Sequence, residues 1–151
     1  MKRAAILLVL LATLSACSSG SRMPAGLIAP EIALAQIGDY SFNLQYRGPI
    51  TISYQIAVAN PSSEPIRLRQ VKFSNVGTGA YYVRTEPQFF NRDIPPGQTL
   101  VATFSLPAFS QGGMTGSREP VTIRGIAYFD SEAGAFQKVF FSSFQGDSGR
   151  R

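Results

Sequence analysis

The strongest constraint on the fold is a period of two in the apolar residues, which recurs along most of the chain. Between Ile50 and Ala59 the even-numbered positions carry large apolar side chains, whereas the odd-numbered positions are small or polar. This alternation is typical of a β-strand that has one face on a hydrophobic core. After Cys17 no segment shows a convincing helical period.

Turn-forming residues separate this segment from others with the same pattern. Strands are predicted within residues 32–46 and at 50–59, 66–73, 80–85, 100–106, 121–129 and 135–144. The last two would form a hairpin across the turn at Asp130–Gly134. These seven segments predict an all-β fold, an antiparallel seven-stranded β-sandwich of the immunoglobulin or fibronectin type. Because the chain has one cysteine and no tryptophan, it does not match antibody domains.

The third predicted strand changes phase in its middle. Ile66 and Leu68 lie on one face of a regular strand, and Val71 and Phe73 lie on the other. A β-bulge near Arg69-Gln70 would bring all four apolar side chains to one side. Alternatively, the strand changes the sheet that it faces.

Residues 1–16 are built like a secretory signal peptide. Two basic residues precede an apolar run at residues 4–12, which is shorter than the roughly 20 residues of a membrane-spanning helix. The sequence Leu14-Ser15-Ala16-Cys17 then resembles the lipobox of bacterial lipoproteins. The resemblance implies that the signal is removed before Cys17 and that the thiol of Cys17 is lipidated. The alternative is an ordinary signal peptide followed by an incidental cysteine.

The lipoprotein resemblance also implies a location. Ser18 follows the cysteine where inner-membrane lipoproteins tend to carry aspartate, which implies the periplasmic face of the outer membrane. Residues 17–29 are predicted to be the lipidated cysteine and a flexible linker, since Gly and Pro interrupt any periodicity. The β-sandwich domain is then expected at residues 30–145, and a polar tail at 146–151.

Removal of the signal lowers the formal charge from +5 to +3, since 12 basic and 9 acidic residues remain. The dense basic group is Arg67, Arg69 and Lys72, which is too small to indicate a nucleic-acid partner. Beside a membrane, these side chains are the candidate site for an anionic partner, either lipid head groups, lipopolysaccharide or an acidic envelope protein. The alternative is a solubilising strand face that binds nothing.

The missing residue types restrict the chemistry. The chain has no histidine, and lipidation would consume its single cysteine. Ser-His-Asp and Cys-His catalysis and the usual zinc, haem and iron–sulfur ligands are therefore excluded, and no metal or cofactor is expected. Asp130 and Glu132 are the nearest pair of carboxylates. They could hold calcium weakly, but Asp, Ser and Gly are also turn formers, which favours a hairpin turn.

Three short motifs recur in the order of a known family. A strand ends in Asn60-Pro61 and a Pro65-Ile66 strand follows, a Pro96-Gly97 step precedes a middle strand, and Gly125 lies within a late strand. On these residues the chain resembles, over about residues 31–145, the LEA-2 family, also called the WHy (water stress and hypersensitive response) domain. The resemblance implies a seven-stranded sandwich without an active site, with roles in stress tolerance and in contact with membranes or unfolded proteins.

Three functions are compatible with these features. The favoured one is a non-catalytic binding or structural domain tethered to the membrane. A carrier or sensor of an apolar ligand such as a lipid is the second. It is motivated by aromatic pairs such as Phe89-Phe90 and Phe140-Phe141, which place one ring on each face of a strand; the outward rings could instead pack under loops. An enzyme that uses carboxylates is the third.

Overall fold

The structure, a computed structural model, describes residues 23–38, 47–111 and 119–144. The described residues form eight strands: β1 (Glu31–Ile37), β2 (Gly48–Ala59), β3 (Ile66–Val76), β4 (Tyr81–Val83), β5 (Pro87–Ile94), β6 (Thr99–Ser110), β7 (Val121–Ser131) and β8 (Gly134–Phe144). The first sheet has the strand order β1-β2-β6-β4, and the second has the order β5-β3-β7-β8. All neighbouring strands are antiparallel. The all-β prediction is therefore confirmed.

The two sheets share one hydrophobic core, to which both contribute buried side chains. The ring of the buried Phe73, from the second sheet, stacks on the ring of the partly buried Phe104, from the first, with centroids 5.0 Å apart. The ring of Tyr54 lies 5.8 Å from that of Phe104. This face-to-face contact is consistent with a β-sandwich, whose layers interdigitate their inner side chains.

Strand β2 shows the predicted alternation. Its fully buried side chains are Ile52, Tyr54, Ile56 and Val58. The hydroxyl of Tyr54 finds a partner inside the core, because it lies 2.9 Å from the hydroxyl of Tyr81. The hydroxyl of Tyr81 in turn donates a hydrogen bond of 2.7 Å to the side chain of Gln36. Buried hydroxyl groups usually have such partners, because an unpaired one is costly. The two hydrogen bonds connect β2 to β4 and β4 to β1.

The phase change in β3 is a β-bulge. The register shifts between Leu68 and Gln70 against both neighbouring strands, so that Arg69 has no partner in either ladder. As a result Ile66, Leu68, Val71 and Phe73 are all buried in the same core. The bulge prediction is confirmed, and the alternative, a strand that changes sheets, is wrong.

The predicted number of strands is wrong, because β5 was not anticipated. This edge strand carries a polar run after Phe90, and the backbone of Asn91 has a φ of 48°. That left-handed conformation, which asparagine tolerates better than most residues, interrupts the period of two. Of the residues of β5, Ile94 lies in the core and Phe90 packs against it.

Part of the predicted linker lies against the domain. Met23 and Leu27 pack against the core, and the backbone of Ile28 is hydrogen-bonded to Ser62. The signal peptide, Cys17 and the tail at 146–151 lie outside the described residues. Within the described ranges, no helix is long and apolar enough to cross a membrane.

Candidate binding surface

The bulge in β3 places the predicted partner-binding residues on the outer face of the second sheet. Arg67, Arg69 and Lys72 are all exposed. In a regular strand Lys72 would point to the face opposite Arg67, since side chains alternate. Because the register shifts after Leu68, Lys72 instead lies between the buried residues Val71 and Phe73, on the same outer face as Arg67.

Each of the three cations has an intramolecular neighbour on this face. Arg67 Nη1 lies 3.6 Å from a carboxylate oxygen of Asp93, and Arg69 Nε lies 3.5 Å from one of Asp130. Lys72 Nζ lies 5.6 Å from the ring centroid of Tyr128. Exposed ion pairs of this kind contribute roughly 0–1 kcal/mol to stability. They do, however, place two negative charges among the three positive ones, which weakens the attraction for an anion.

A cleft of about 390 Å³ lies beside the bulge on the same face, and we call it the bulge cleft. Strands β3, β5 and β7 supply most of its lining. Its polar lining residues are Arg69, Gln70, Asn91, Tyr128 and Asp130. Its apolar lining residues are Phe89, Phe129, Ala135 and Phe136. Bulges re-aim side chains and are frequent beside functional sites, and here the bulge in β3 faces the irregular residue Asn91 in β5.

The bulge cleft has polar groups without partners within the described part of the molecule. No hydrogen bond there engages the side-chain amides of Gln70 and Asn91 or the hydroxyl of Tyr128. The Arg69–Asp130 ion pair supplies one charge of each sign. Beside these groups the ring of Phe89 is 69% exposed. The cleft can therefore offer donors, acceptors and an aromatic surface to a ligand.

The aromatic pairs divide between the core and the surface, as the alternation requires. Phe90 packs edge-on against Phe104 at 5.7 Å, and Phe140 is buried. Their neighbours Phe89 and Phe141 point outward and are 69% and 62% exposed. The outward rings are thus not covered by described loops. The sequence named these pairs, but it did not assign Phe89 and Asn91 to a site, because β5 was not predicted. Gln70 lies in the predicted strand β3, and nothing in the sequence marked it as a site residue.

A second cleft, of about 610 Å³, lies on the first sheet. Pro49, Tyr82 and Phe109 are among its lining residues and are register partners across β2, β6 and β4. Its one charged lining residue, Arg84, is engaged with Glu86 at 3.5 Å. Although this cleft is larger, it offers fewer groups that could orient a ligand than the bulge cleft does.

The carboxylates that the sequence singled out do not form a site together. The hairpin between β7 and β8 lies within the predicted segment, but its turn consists of Glu132 and Ala133 alone, because Asp130 and Ser131 still pair with Ala135 and Gly134. Ser131 Oγ donates to the carbonyl oxygen of Gly134 at 2.9 Å. Asp130 faces Arg69, and Glu132 is exposed in the turn. Among the described residues, no group of three or more His, Cys, Asp or Glu side chains could hold a metal ion.

Comparison with known proteins gives no family. No family model matches the chain, and no curated protein matches it. A solved structural genomics target, SoR45, has a TM-score of 0.49 at 16% identity, covering 80% of this chain and 87% of that one. The putative ApaA protein from Bordetella pertussis has 0.48 at 16%, covering 82% and 94%. A FixG-related protein from Vibrio parahaemolyticus has 0.41 at 12%, covering 78% and 96%.

Proposed function

We propose that the protein is a lipoprotein held at the periplasmic face of the outer membrane through Cys17, and that its β-domain is a non-catalytic binding domain. The observation that carries the binding role is the outer face of the second sheet, where the bulge gathers three cations beside a cleft.

We further propose that the domain is a LEA-2-like sandwich of the fibronectin type with a role in envelope stress tolerance. The buried Asn60 at the end of β2 supports that resemblance.

The proposed partner of the cationic surface is an anionic group of the envelope, such as a lipid head group or an acidic protein. A basic side chain near an anionic membrane contributes about 1 kcal/mol, and the contribution weakens with salt. Because Asp93 and Asp130 lie beside Arg67 and Arg69, we expect a weak contact. A lipid anchor would compensate, since tethering raises the effective concentration of the surface.

The anchor is tested by mass spectrometry of the mature protein. We expect an acylated amino terminus at Cys17 and release of the Cys17→Ala variant from membranes, because stable anchoring takes more than one acyl chain and a diacylglycerol supplies two. An intact Met1 or an unmodified Cys17 thiol would exclude the anchor.

The anionic contact is tested with the unlipidated mature chain, residues 17–151 with Cys17→Ser, which retains every described residue. We expect it to co-sediment with phosphatidylglycerol vesicles at low salt, and the double variant Arg67→Gln/Lys72→Gln to lose most of this binding. The matched control, Arg47→Gln/Arg84→Gln, removes the same charge elsewhere. Absence of wild-type binding, or an equal loss in both variants, would contradict a specific contact.

A carrier of an apolar ligand is less well supported. Such a carrier needs a cavity between the sheets, whereas aromatic rings stack through the described interior. The rings of Phe73 and Phe104, from opposite sheets, lie 5.0 Å apart, and those of Tyr54 and Phe144, also from opposite sheets, lie 5.6 Å apart. This close packing favours binding on the surface of the domain.

A further inference from the structure

We infer that the bulge cleft binds a neutral, hydroxyl-rich ring, of the kind that a pyranose sugar presents. This inference goes beyond the contact with an anionic partner proposed above. It concerns a different ligand class, and it does not depend on the lipid anchor.

The charges of the bulge cleft favour a neutral ligand. The guanidinium of Arg69 would attract a phosphate or a carboxylate, but the carboxylate of Asp130 lies 3.5 Å from it. An anion close enough to bind Arg69 would therefore also be close to Asp130, and the two Coulomb terms would oppose each other. A cation would meet the same opposition with the signs reversed. An uncharged polar ligand encounters neither penalty.

The hydrogen-bonding groups of the bulge cleft favour hydroxyls. The carboxylate of Asp130 only accepts, the guanidinium of Arg69 only donates, and the amides of Gln70 and Asn91 do both. A hydroxyl group is both a donor and an acceptor, so several adjacent hydroxyls can satisfy this mixed set. The amides have no other hydrogen-bond partner in the described structure, and they are thus available to a ligand.

The aromatic wall favours a ring with an apolar face. Among the described large apolar side chains, Phe89 is the most exposed, and it lines the same cleft as Asp130 and Gln70. The face of an aromatic ring carries a partial negative charge, which attracts the weakly positive hydrogen atoms of C–H groups. A pyranose ring carries such C–H groups on one face and hydroxyls around its rim. A wholly apolar ligand would leave the amides and the ion pair unsatisfied.

Three paired strands form the framework of the site and can orient such a ligand. Gln70, Phe89 and Tyr128 lie in one row across three hydrogen-bonded strands, since Gln70 pairs with both of the others. The volume of about 390 Å³ falls within the roughly 300–1,000 Å³ of small-molecule sites. Asn91 has a left-handed backbone with φ 48°, which interrupts the regular alternation of β5 beside the bulge of β3.

The test is a titration of the unlipidated mature chain, followed by the chemical shifts of its backbone amides. The probes are cellobiose, maltose and N,N′-diacetylchitobiose, with inorganic phosphate as the charged comparison. We expect at least one disaccharide to shift the signals of Gln70, Phe89, Asn91 and Tyr128, without dependence on salt. If no disaccharide shifts these signals, or if the shifts lie elsewhere, the inference is wrong.

Two exposed phenylalanines of the same sheet face provide a matched pair of variants. Phe89→Ala should weaken the binding of the disaccharide roughly 2- to 12-fold, the range expected for one aromatic contact. Phe141→Ala, which removes a similarly exposed ring outside the cleft, should leave the affinity within about twofold of the wild type. Equal effects of the two variants would contradict a site at the bulge cleft.

Asp130→Asn separates a sugar site from an anion site. It removes a charged acceptor, so we expect weaker binding of the disaccharide. An anion site would instead bind phosphate, more tightly in Asp130→Asn and less tightly at high salt, and that result would overturn the inference.

The variant Arg67→Gln/Lys72→Gln keeps the cleft residues, so it should still bind the disaccharide even if the membrane contact is lost. The two proposals can therefore fail separately.

Discussion

Gly125 of β7 lies directly opposite Phe140 of β8, and the ring of Phe140 covers the place where a side chain at position 125 would stand. A Cβ atom there would overlap three carbon atoms of the ring. The ring is buried and packs edge-on against Phe73, with centroids 6.4 Å apart. The glycine thus leaves space for an aromatic side chain of an edge strand to pack against Phe73 in the core.

Gly125→Ala should destabilise the domain because the added methyl group displaces a packed ring. We expect a loss of about 1–3 kcal/mol in the free energy of unfolding, the usual cost of overpacking, measured by urea denaturation. Phe140→Leu in the same background should recover part of the loss, since a smaller side chain relieves the overlap. Arg124→Ala, at the exposed neighbouring position, should change the stability by less than about 0.5 kcal/mol. If Gly125→Ala has the same free energy of unfolding as the wild type, the close contact between Gly125 and the ring of Phe140 is wrong.

The alternation of apolar residues predicted much of the fold, because it reports which face of a strand is buried. It placed β2 correctly, and the slip between Leu68 and Val71 revealed the bulge in β3. Strand β5 escaped prediction because an edge strand with one left-handed residue lacks a clean period of two. The role of Gly125 also required the structure, since its ring partner lies on another strand.

The candidate site was only partly predictable. Arg67, Arg69 and Lys72 are close in sequence, so their common face followed from the expected bulge. Their carboxylate neighbours Asp93 and Asp130 come from other strands, and only the strand register brings them together. The sequence therefore predicted a cationic surface, whereas the structure adds the acidic neighbours and the cleft.

The register of β2 predicts unequal effects of two adjacent substitutions. Ile56 is fully buried, and Gln55 lies on the opposite face of the strand. Ile56→Ala should cost about 2–5 kcal/mol, as is usual for a buried aliphatic side chain. Gln55→Ala should cost less than about 1 kcal/mol. Chemical denaturation of the two variants gives the comparison, and similar losses would mean that the register is wrong.

Asn60 follows β2, and its side chain is hydrogen-bonded to three other residues. We therefore expect its replacement to destabilise the domain. Its side-chain nitrogen donates to the carbonyl oxygens of Glu64 at 2.8 Å and Ile94 at 3.0 Å, and its side-chain oxygen accepts from the backbone of Ser62 at 3.0 Å. Asn60 is 1% exposed.

Asn60→Ala should therefore leave buried backbone groups unsatisfied and cost about 1–3 kcal/mol for each group that water cannot reach. Asn60→Asp should be worse at neutral pH, because it places a negative charge against two carbonyl oxygens, and it should recover partly in acid as the carboxyl group takes up a proton. Thermal unfolding at pH 7 and pH 4 measures both variants. A neutral effect of Asn60→Ala would show that this network does not stabilise the turn.

The contact between Ile28 and Ser62 predicts where the folded domain begins. The backbone N–H of Ile28 donates to Ser62 Oγ at 2.8 Å, and the same hydroxyl donates to the carbonyl oxygen of Ile28 at 3.0 Å. Ser62 is buried. Met23 and Leu27, which precede Ile28 in the sequence, pack against the core. A chain that begins at residue 30 loses all of these contacts, whereas one that begins at residue 23 keeps them.

Both chains should fold as all-β domains whose circular dichroism is unchanged by chelator or reductant. Neither chain contains the single cysteine, Cys17, and among the described residues no group of three or more His, Cys, Asp or Glu side chains could hold a metal ion. The longer chain should be more stable by about 1–3 kcal/mol, from the apolar surface that Met23 and Leu27 bury and the hydrogen bonds at Ile28. Ser62→Ala should narrow the difference, since it removes both hydrogen bonds from the longer chain. Equal stability of the two chains would mean that residues 23–29 behave as the free linker that the sequence predicted.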